Sequence, residues 1–243
     1  MSWHDVWNHR QLEQGDDVLQ GLIDLDGFDA GAGRITATDW LIYIERICER
    51  LAMSAGQHVY EIGCGAAALL YPLSQRGMQV GGADYAHSLV AQARLAIPTG
   101  CFDAVEANQV AIEPHYDRVL ANSVFHYFPN LSYAEQVLSI MFAKSRGAVA
   151  VLEVPDQAHR ERAERIRRDL LSHEEYERKY RGYEHLYFNR DWFVEQGRRH
   201  GYNCEITEQF IPHYAQNSYR FNCFFTPNID LAPLTPSPGT ARL

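Results

Sequence analysis

Gln57-His-Val-Tyr-Glu-Ile-Gly-Cys-Gly-Ala-Ala-Ala-Leu-Leu70 is the stretch whose reading decides the fold. Val59, Tyr60 and Ile62 suit a short buried strand. Gly63 and Gly65 then permit a tight turn and let a ligand approach the backbone, and Ala66 to Leu70 predict the start of an apolar helix. A strand, a glycine turn and a helix start form a nucleotide-type pocket, because free N–H groups and a positive dipole end converge there. Glu61 lies two residues before Gly63, at the carboxyl end of the strand. A carboxylate in that place repels a pyrophosphate and suits a cationic ligand.

The flanking sequence supplies the layers around this turn. Thr36 or Thr38 can cap a helix running to about Met53, with Trp40, Leu41, Ile44, Ile47, Cys48 and Leu51 on one buried face. After the turn, a helix over about 65–76 ends at Gly77. A strand at 78–83 with Asp84 at its end follows, then a helix at 88–95 and a strand at 101–105. A strand at 117–123, a helix at about 132–145 and a strand at 147–154 complete the alternation. Strands alternating with helices at this spacing predict βαβ units and a parallel sheet covered on both faces. Asn189 or Asp191 starts one more helix, stopped by Gly201. Residues 202–210 and 219–226 then read as two strands joined without a helix.

The remaining segments organise around that domain, taken as 36–226. Residues 1–35 are a helical and loop cover, with Gly21 to Arg34 read as a glycine-rich loop. Residues 157–188 break the alternation. They are first highly charged, and Tyr176, Tyr180, Tyr183 and Tyr187 then recur at helical spacing, a packing stripe or a substrate lid. Residues 227–243 carry four prolines and read as an extended or disordered tail.

Composition narrows the function. The 243 residues hold 22 Lys and Arg against 31 Asp and Glu, a net charge of −9, which disfavours a long nucleic-acid substrate. No apolar run approaches a membrane span, and the first residues lack a basic region followed by an apolar one, so a cytoplasmic location is expected. The five cysteines are widely spaced without a C-x-x-C pair, so neither a metal site nor a disulfide framework is expected.

Glu61-x-Gly63-x-Gly65, Asp84 21 residues after Gly63, and the final pair of strands together resemble the class I S-adenosylmethionine-dependent methyltransferases. The resemblance covers about 36–226. It implies an α/β, Rossmann-like three-layer sandwich whose seven-stranded, mostly parallel sheet ends in an antiparallel strand. It implies S-adenosylmethionine as cofactor and a small-molecule acceptor, methylated on oxygen or nitrogen rather than carbon. Glu61, Gly63, Cys64 and Gly65 would hold its methionine end, with Ala67 where a third glycine is usual. Asp84 would take the ribose hydroxyls and Tyr85 would pack on the ribose or adenine. Asn108 and Gln109 would meet the adenine amino group, and Asn122 lies at the end of the fourth strand.

His126 follows that strand and is the first choice of general base, because its unperturbed pKa lies near neutrality; it can equally well line the pocket. Tyr187, His213, Arg220 and Asn222 are the further candidates for acceptor binding. Two rival readings stand beside this one. Gly63-x-Gly65-x-x-Ala68 also fits a loose dinucleotide fingerprint, which would make the chain an NAD(P)-dependent oxidoreductase. A relative that binds the cofactor without transferring methyl is the other.

Overall fold

A computed structural model describes Trp7, Arg10 and residues 17–29, 34–169 and 185–228. Seven strands form one sheet: β1 His58–Ile62, β2 Gln79–Asp84, β3 Cys101–Ala104, β4 Tyr116–Asn122, β5 Ser145–Pro155, β6 Tyr202–Glu208 and β7 Arg220–Pro227. Their order is β3-β2-β1-β4-β5-β7-β6. The first five pair with one another in parallel, and β7 runs antiparallel between β5 and β6. This is the sheet that the alternation and the terminal hairpin predict.

Seven α-helices are described: α1 Val18–Leu25, α2 Ala37–Arg50, α3 Leu70–Gln75, α4 His87–Ala96, α5 Leu131–Lys144, α6 Arg160–Asp169 and α7 Arg190–Arg199. One face of the sheet is covered by α1 to α4. Ala148, Ala150 and Leu152 of β5 and Phe224 of β7 pack there with Ile44, Leu73 and Val90. The opposite face carries α5 and α7, where Val149, Val151, Phe221 and Phe225 meet Val137, Met141 and Phe193. Alternate residues of each strand serve opposite cores, which is why the central strands read as continuous apolar runs.

Local signals explain the helices. Thr36 caps α2 by accepting from Asp39 N at 3.2 Å, and its hydroxyl donates to Asp39 Oδ2 at 2.8 Å. The buried face of α2 is Trp40, Tyr43, Ile44, Ile47 and Cys48, while Leu41 is exposed. Leu41 is thus one residue off the stripe, and Tyr43 takes its place, as a 3.6-residue period requires. Burying such side chains contributes about 1.5–3 kcal/mol each. Asn130 and Asn189 cap α5 and α7 in the same manner.

Three expectations need correction. The segment read as a loop from Gly21 is helical to Leu25. Asp17 caps α1, and its buried face of Leu19, Leu22, Ile23 and Leu25 outweighs the propensity cost of one glycine. The helix expected from residue 65 starts only at Leu70, because Gly65 and Ala67 both take positive φ, +52° and +73°, and keep the chain turning. Asn217–Tyr219 is a 3-10 turn rather than the start of the last strand, which begins at Arg220. Tyr176, Tyr180 and Tyr183 and the tail beyond Asn228 lie outside the described residues, as does most of the N-terminal 16.

Candidate active site

The carboxyl ends of β1, β2 and β4 open on one cavity of about 460 Å³, where an open α/β sheet puts its ligands. The turn after β1 forms its floor. Gly63 and Cys64 both donate to Ala83 O, at 2.7 and 3.0 Å, which ties the turn to the end of β2. Gly63 has φ +73°, and a Cβ there would collide with Val124; at Gly65 it would collide with the carboxylate of Asp26. Only glycine fits either position. Ala67 adopts φ +73° with a side chain, a conformation that costs about 1–2 kcal/mol relative to glycine. It is held there by its N–H to Cys64 O at 2.8 Å and by full burial. Trp40 of α2 pins the same turn by donating its indole N–H to Ala68 O at 2.9 Å.

Four carboxylates contribute to the cavity wall: Asp26, Glu61, Asp84 and Glu106. Among the described residues no lysine, arginine or histidine does. Glu61 is almost fully buried, and its Oε2 has no hydrogen-bond partner. Burial, reinforced by Asp26 and Asp84, holds its carboxyl well above the usual range. Asp84 accepts from Gly65 N at 3.0 Å and from Ala86 N at 2.9 Å, so its two oxygens are fixed at the mouth of the turn. Asp26 ends α1 and accepts from Ala66 N at 2.6 Å and Ala68 N at 3.0 Å. Part of the residue stays accessible, yet burial of the carboxyl pushes it up to about 7. The two backbone hydrogen bonds oppose that rise, Asp84 adds to it, and Arg10 opposes it. Glu106 accepts from Tyr133 Oη at 3.0 Å.

The structure brings all nine expected cofactor residues to this one place. Glu61, Gly63, Cys64, Gly65, Asp84, Tyr85, Asn108, Gln109 and Asn122 all line the cavity. Asn108 and Gln109 lie on a 3-10 turn, Ala107–Gln109. Asn122 is set by a buried hydrogen bond from Tyr43 Oη to its Oδ1, 3.0 Å. Burial holds the Tyr43 hydroxyl far above its ordinary pKa, so it stays a donor.

The acceptor residues expected from the sequence are not on this wall. His126 is buried on a 3-10 turn after β4, with its ring 4.0 Å from that of Tyr127 and 4.7 Å from that of His185. Its neighbours Ser123, Val124 and Tyr127 line the cavity instead. His213 is largely exposed, 87% for the side chain, and pairs with Asp39 at 3.0 Å. Tyr187 is buried ahead of α7, and Arg220 and Asn222 are buried on β7.

Around the last two a polar network forms, in which Glu153 Oε2 and Arg220 Nη1 have no hydrogen-bond partner. Glu153 sits at φ +60° where the β5–β7 register shifts between Val151 and Val154. It accepts from Tyr214 Oη at 2.6 Å and pairs with Arg220 Nε at 3.3 Å. Its N–H donates to Asn222 Oδ1 at 2.9 Å. This bulge re-aims a carboxylate into the interior, where a guanidinium meets it.

Sequence reasoning did not find Asp26, Trp7, Phe28, Trp40, Glu106, Tyr127 or Tyr133, all of which line the cavity. Glu106 stands two residues before the position matched to the adenine contact, and a preference for an acid there is the signal that was available. Asp26 carries no local signal, since its partners are 40 and 42 residues away.

Residues 60–146 match the family model of a methyltransferase domain, which spans the glycine turn, Asp84, β3 and β4. Over those residues the chain carries a methyltransferase domain. No curated protein matches the sequence. Among solved structures, the methyltransferase domain resembles magnesium protoporphyrin IX methyltransferase from Synechocystis PCC 6803 with bound S-adenosylhomocysteine. The identity is 15%, covering 93% of this chain and 92% of that one, with a TM-score of 0.58. The N-methyltransferase NodS from Bradyrhizobium japonicum WM9, also with S-adenosylhomocysteine, aligns at 11% identity over 87% and 99%, TM-score 0.60. A putative methyltransferase of Haloferax volcanii, solved with the Trm112 activator, aligns at 15% over 83% and 98%, TM-score 0.58. At such identities the likeness is one of fold.

The residues present fit S-adenosylmethionine, the cofactor of this domain. An orphaned buried carboxylate at Glu61 and a cradle at Gly63 and Gly65 that any Cβ would fill are what a cationic amino-acid end requires. No helix among the described residues is long and apolar enough to cross a membrane.

Proposed function

We propose that this protein transfers the methyl group of S-adenosylmethionine to a nitrogen or oxygen of a small acceptor that is neutral or cationic. The observation that carries the reading is the cavity wall, with four carboxylates and, among the described residues, no basic side chain. Such a wall suits a sulfonium and an ammonium, and it opposes the pyrophosphate of NAD(P) and any acceptor bearing a phosphate. In this reading Glu61 attracts the ammonium, Asp84 accepts from the ribose hydroxyls, Tyr85 packs on the nucleoside, and Asn108, Gln109 or Glu106 meets the adenine amino group.

The bound cofactor supplies an already activated methyl. The chain is left to orient the acceptor, exclude water and, for a hydroxyl, take up a proton. Positioning of this kind supplies much of the rate. Trp7, Phe28, Trp40 and Tyr127 form the apolar part of the wall and would exclude water around the methyl. His126 packs behind Tyr127, so we assign it to holding that wall rather than to proton transfer. His126→Ala should therefore leave the pH profile of turnover in place, while loss of one limb of that profile would restore it as the base.

The test is transfer of labelled methyl from S-adenosylmethionine to a panel of small amines, alcohols and carboxylic acids. Labelling confined to amines or hydroxyls supports the reading. Labelling of a nucleic acid, or of anionic acceptors alone, would refute it. S-adenosylhomocysteine binding without turnover on any acceptor would favour a non-catalytic relative instead.

A further inference from the structure

We infer that Asp26, on the N-terminal segment, receives the ammonium group of the bound cofactor together with Glu61, so that α1 is part of the binding site. The inference rests on the S-adenosylmethionine reading above. Three observations carry it. First, Asp26 occupies the N–H groups of Ala66 and Ala68, the amides of the glycine turn that would otherwise attract a ligand anion. With that nest filled from within, the group that faces the ligand is a carboxylate, which favours a hydrogen-bond donor and most of all a cationic one. Each carboxylate oxygen keeps a second lone pair for a donor.

Second, Glu61 Oε2 is buried, partnerless and in the same cavity. Asp26, Glu61 and Asp84 act on one another electrostatically. The nearby cation, Arg10, is engaged elsewhere, with Asp29 at 3.3 Å and with the carbonyls of Asp24 and Leu25. Buried like charges without a paired cation are costly, and an ammonium brought by the ligand would offset that cost. Third, Gly65 leaves room for the Asp26 carboxylate where any other side chain would displace it. The turn is shaped to admit that group.

The rival account is that Asp26 merely caps the turn, as Trp40 does from the other side. Calorimetric titration of the full chain separates the two. S-adenosylhomocysteine carries the ammonium, and 5′-methylthioadenosine is the same thionucleoside without the amino-acid end. Asp26→Asn should weaken S-adenosylhomocysteine about tenfold or more and leave methylthioadenosine unchanged, as loss of a charged hydrogen bond implies. An equal loss for both ligands would reduce Asp26 to a cap and overturn the inference. Unchanged or tighter S-adenosylhomocysteine binding would overturn it as well.

A wild-type measurement keeps the question decidable if the variant does not fold. The groups facing Asp26 are Glu61, Asp84 and Arg10. With the carboxyl near 7, affinity for S-adenosylhomocysteine should rise by up to about tenfold from pH 6 to pH 8, with methylthioadenosine flat. A flat response for both would overturn the assignment. Wild-type protein that binds neither ligand would instead refute the cofactor reading, and the inference with it.

Discussion

The two ends of the carboxyl rim settle buried charge in opposite ways. At the β5–β7 end, Glu153 is met by the Arg220 guanidinium and the Tyr214 hydroxyl, and Asn222 takes its backbone N–H. Glu153 and Glu61 each keep one buried oxygen without a hydrogen bond, but at the β1–β2 end the charged neighbours of Glu61 are Asp26 and Asp84, and among the described residues no basic side chain lines the cavity. In the first case the chain supplies the countercharge. In the second it is withheld, which leaves that place for a ligand. A buried carboxylate is therefore informative through what neutralises it rather than through its presence alone.

Substitutions at the two ends should behave differently, and the largest effect belongs to the closed end. Arg220→Leu leaves Glu153 buried without its partner and should cost about 3–5 kcal/mol in urea unfolding. A variant as stable as wild type would break the comparison. At the open end, Glu61→Gln should weaken S-adenosylhomocysteine by about ten- to a hundredfold, the worth of about 1.5–3 kcal/mol for a charged hydrogen bond. The same change removes an uncompensated charge, so the ligand-free melting temperature should hold or rise. A fall in melting temperature would mean that Glu61 has a partner within the fold.

Proton linkage sharpens the contrast. Asp26 is raised from 3.8 to about 7 in the folded protein, so the folded state binds that proton more tightly than the unfolded one. The resulting stabilisation is complete below about pH 4 and is lost as the pH rises through 7, and Glu61, also raised, acts in the same sense. Ligand-free stability carried by these groups should thus decline from pH 5 to pH 8. The thermal shift given by saturating S-adenosylhomocysteine should grow over that range, and a shift that shrinks would contradict the charge assignment.

The smallest effect concerns the turn itself. Ala67→Gly relieves the strain of φ +73°, about 1–2 kcal/mol, but removes a buried methyl and frees the unfolded chain, which together cost about 1–2 kcal/mol. Stability should stay within about 0.5 kcal/mol of wild type by the same cancellation. A larger loss would show that the methyl, rather than the turn, is what the position requires.

The legibility of the sequence follows the same division. The sheet and the grouping of nine residues around one cavity were readable because they rest on short-range signals. Val59 to Gly65 compress strand, turn and acid into seven residues, and Asp84 ends the next strand at a fixed spacing. The helix boundary after Gly65 was not readable. Ala66 to Leu69 have helical propensity, and the positive φ at Ala67 is imposed by contacts from α1 and α2 that the local pattern does not contain. Asp26 was hidden for the same reason.

At the other end, Arg220 and Asn222 were chosen because polar groups near a strand end commonly face the ligand. Here a bulge at Glu153 turns the polarity inward, and the sequence does not mark where a bulge falls. His213, chosen on the same ground, lies on the surface beside Asp39.

The central claim is that the open end of the rim is reserved for a thionucleoside that carries an ammonium. The most direct measurement is equilibrium binding of S-adenosylhomocysteine and of NADP⁺ to the purified full chain, each by calorimetry at pH 8. The account predicts saturable one-to-one binding of the first and none of the second. Binding of NADP⁺ without S-adenosylhomocysteine would contradict it.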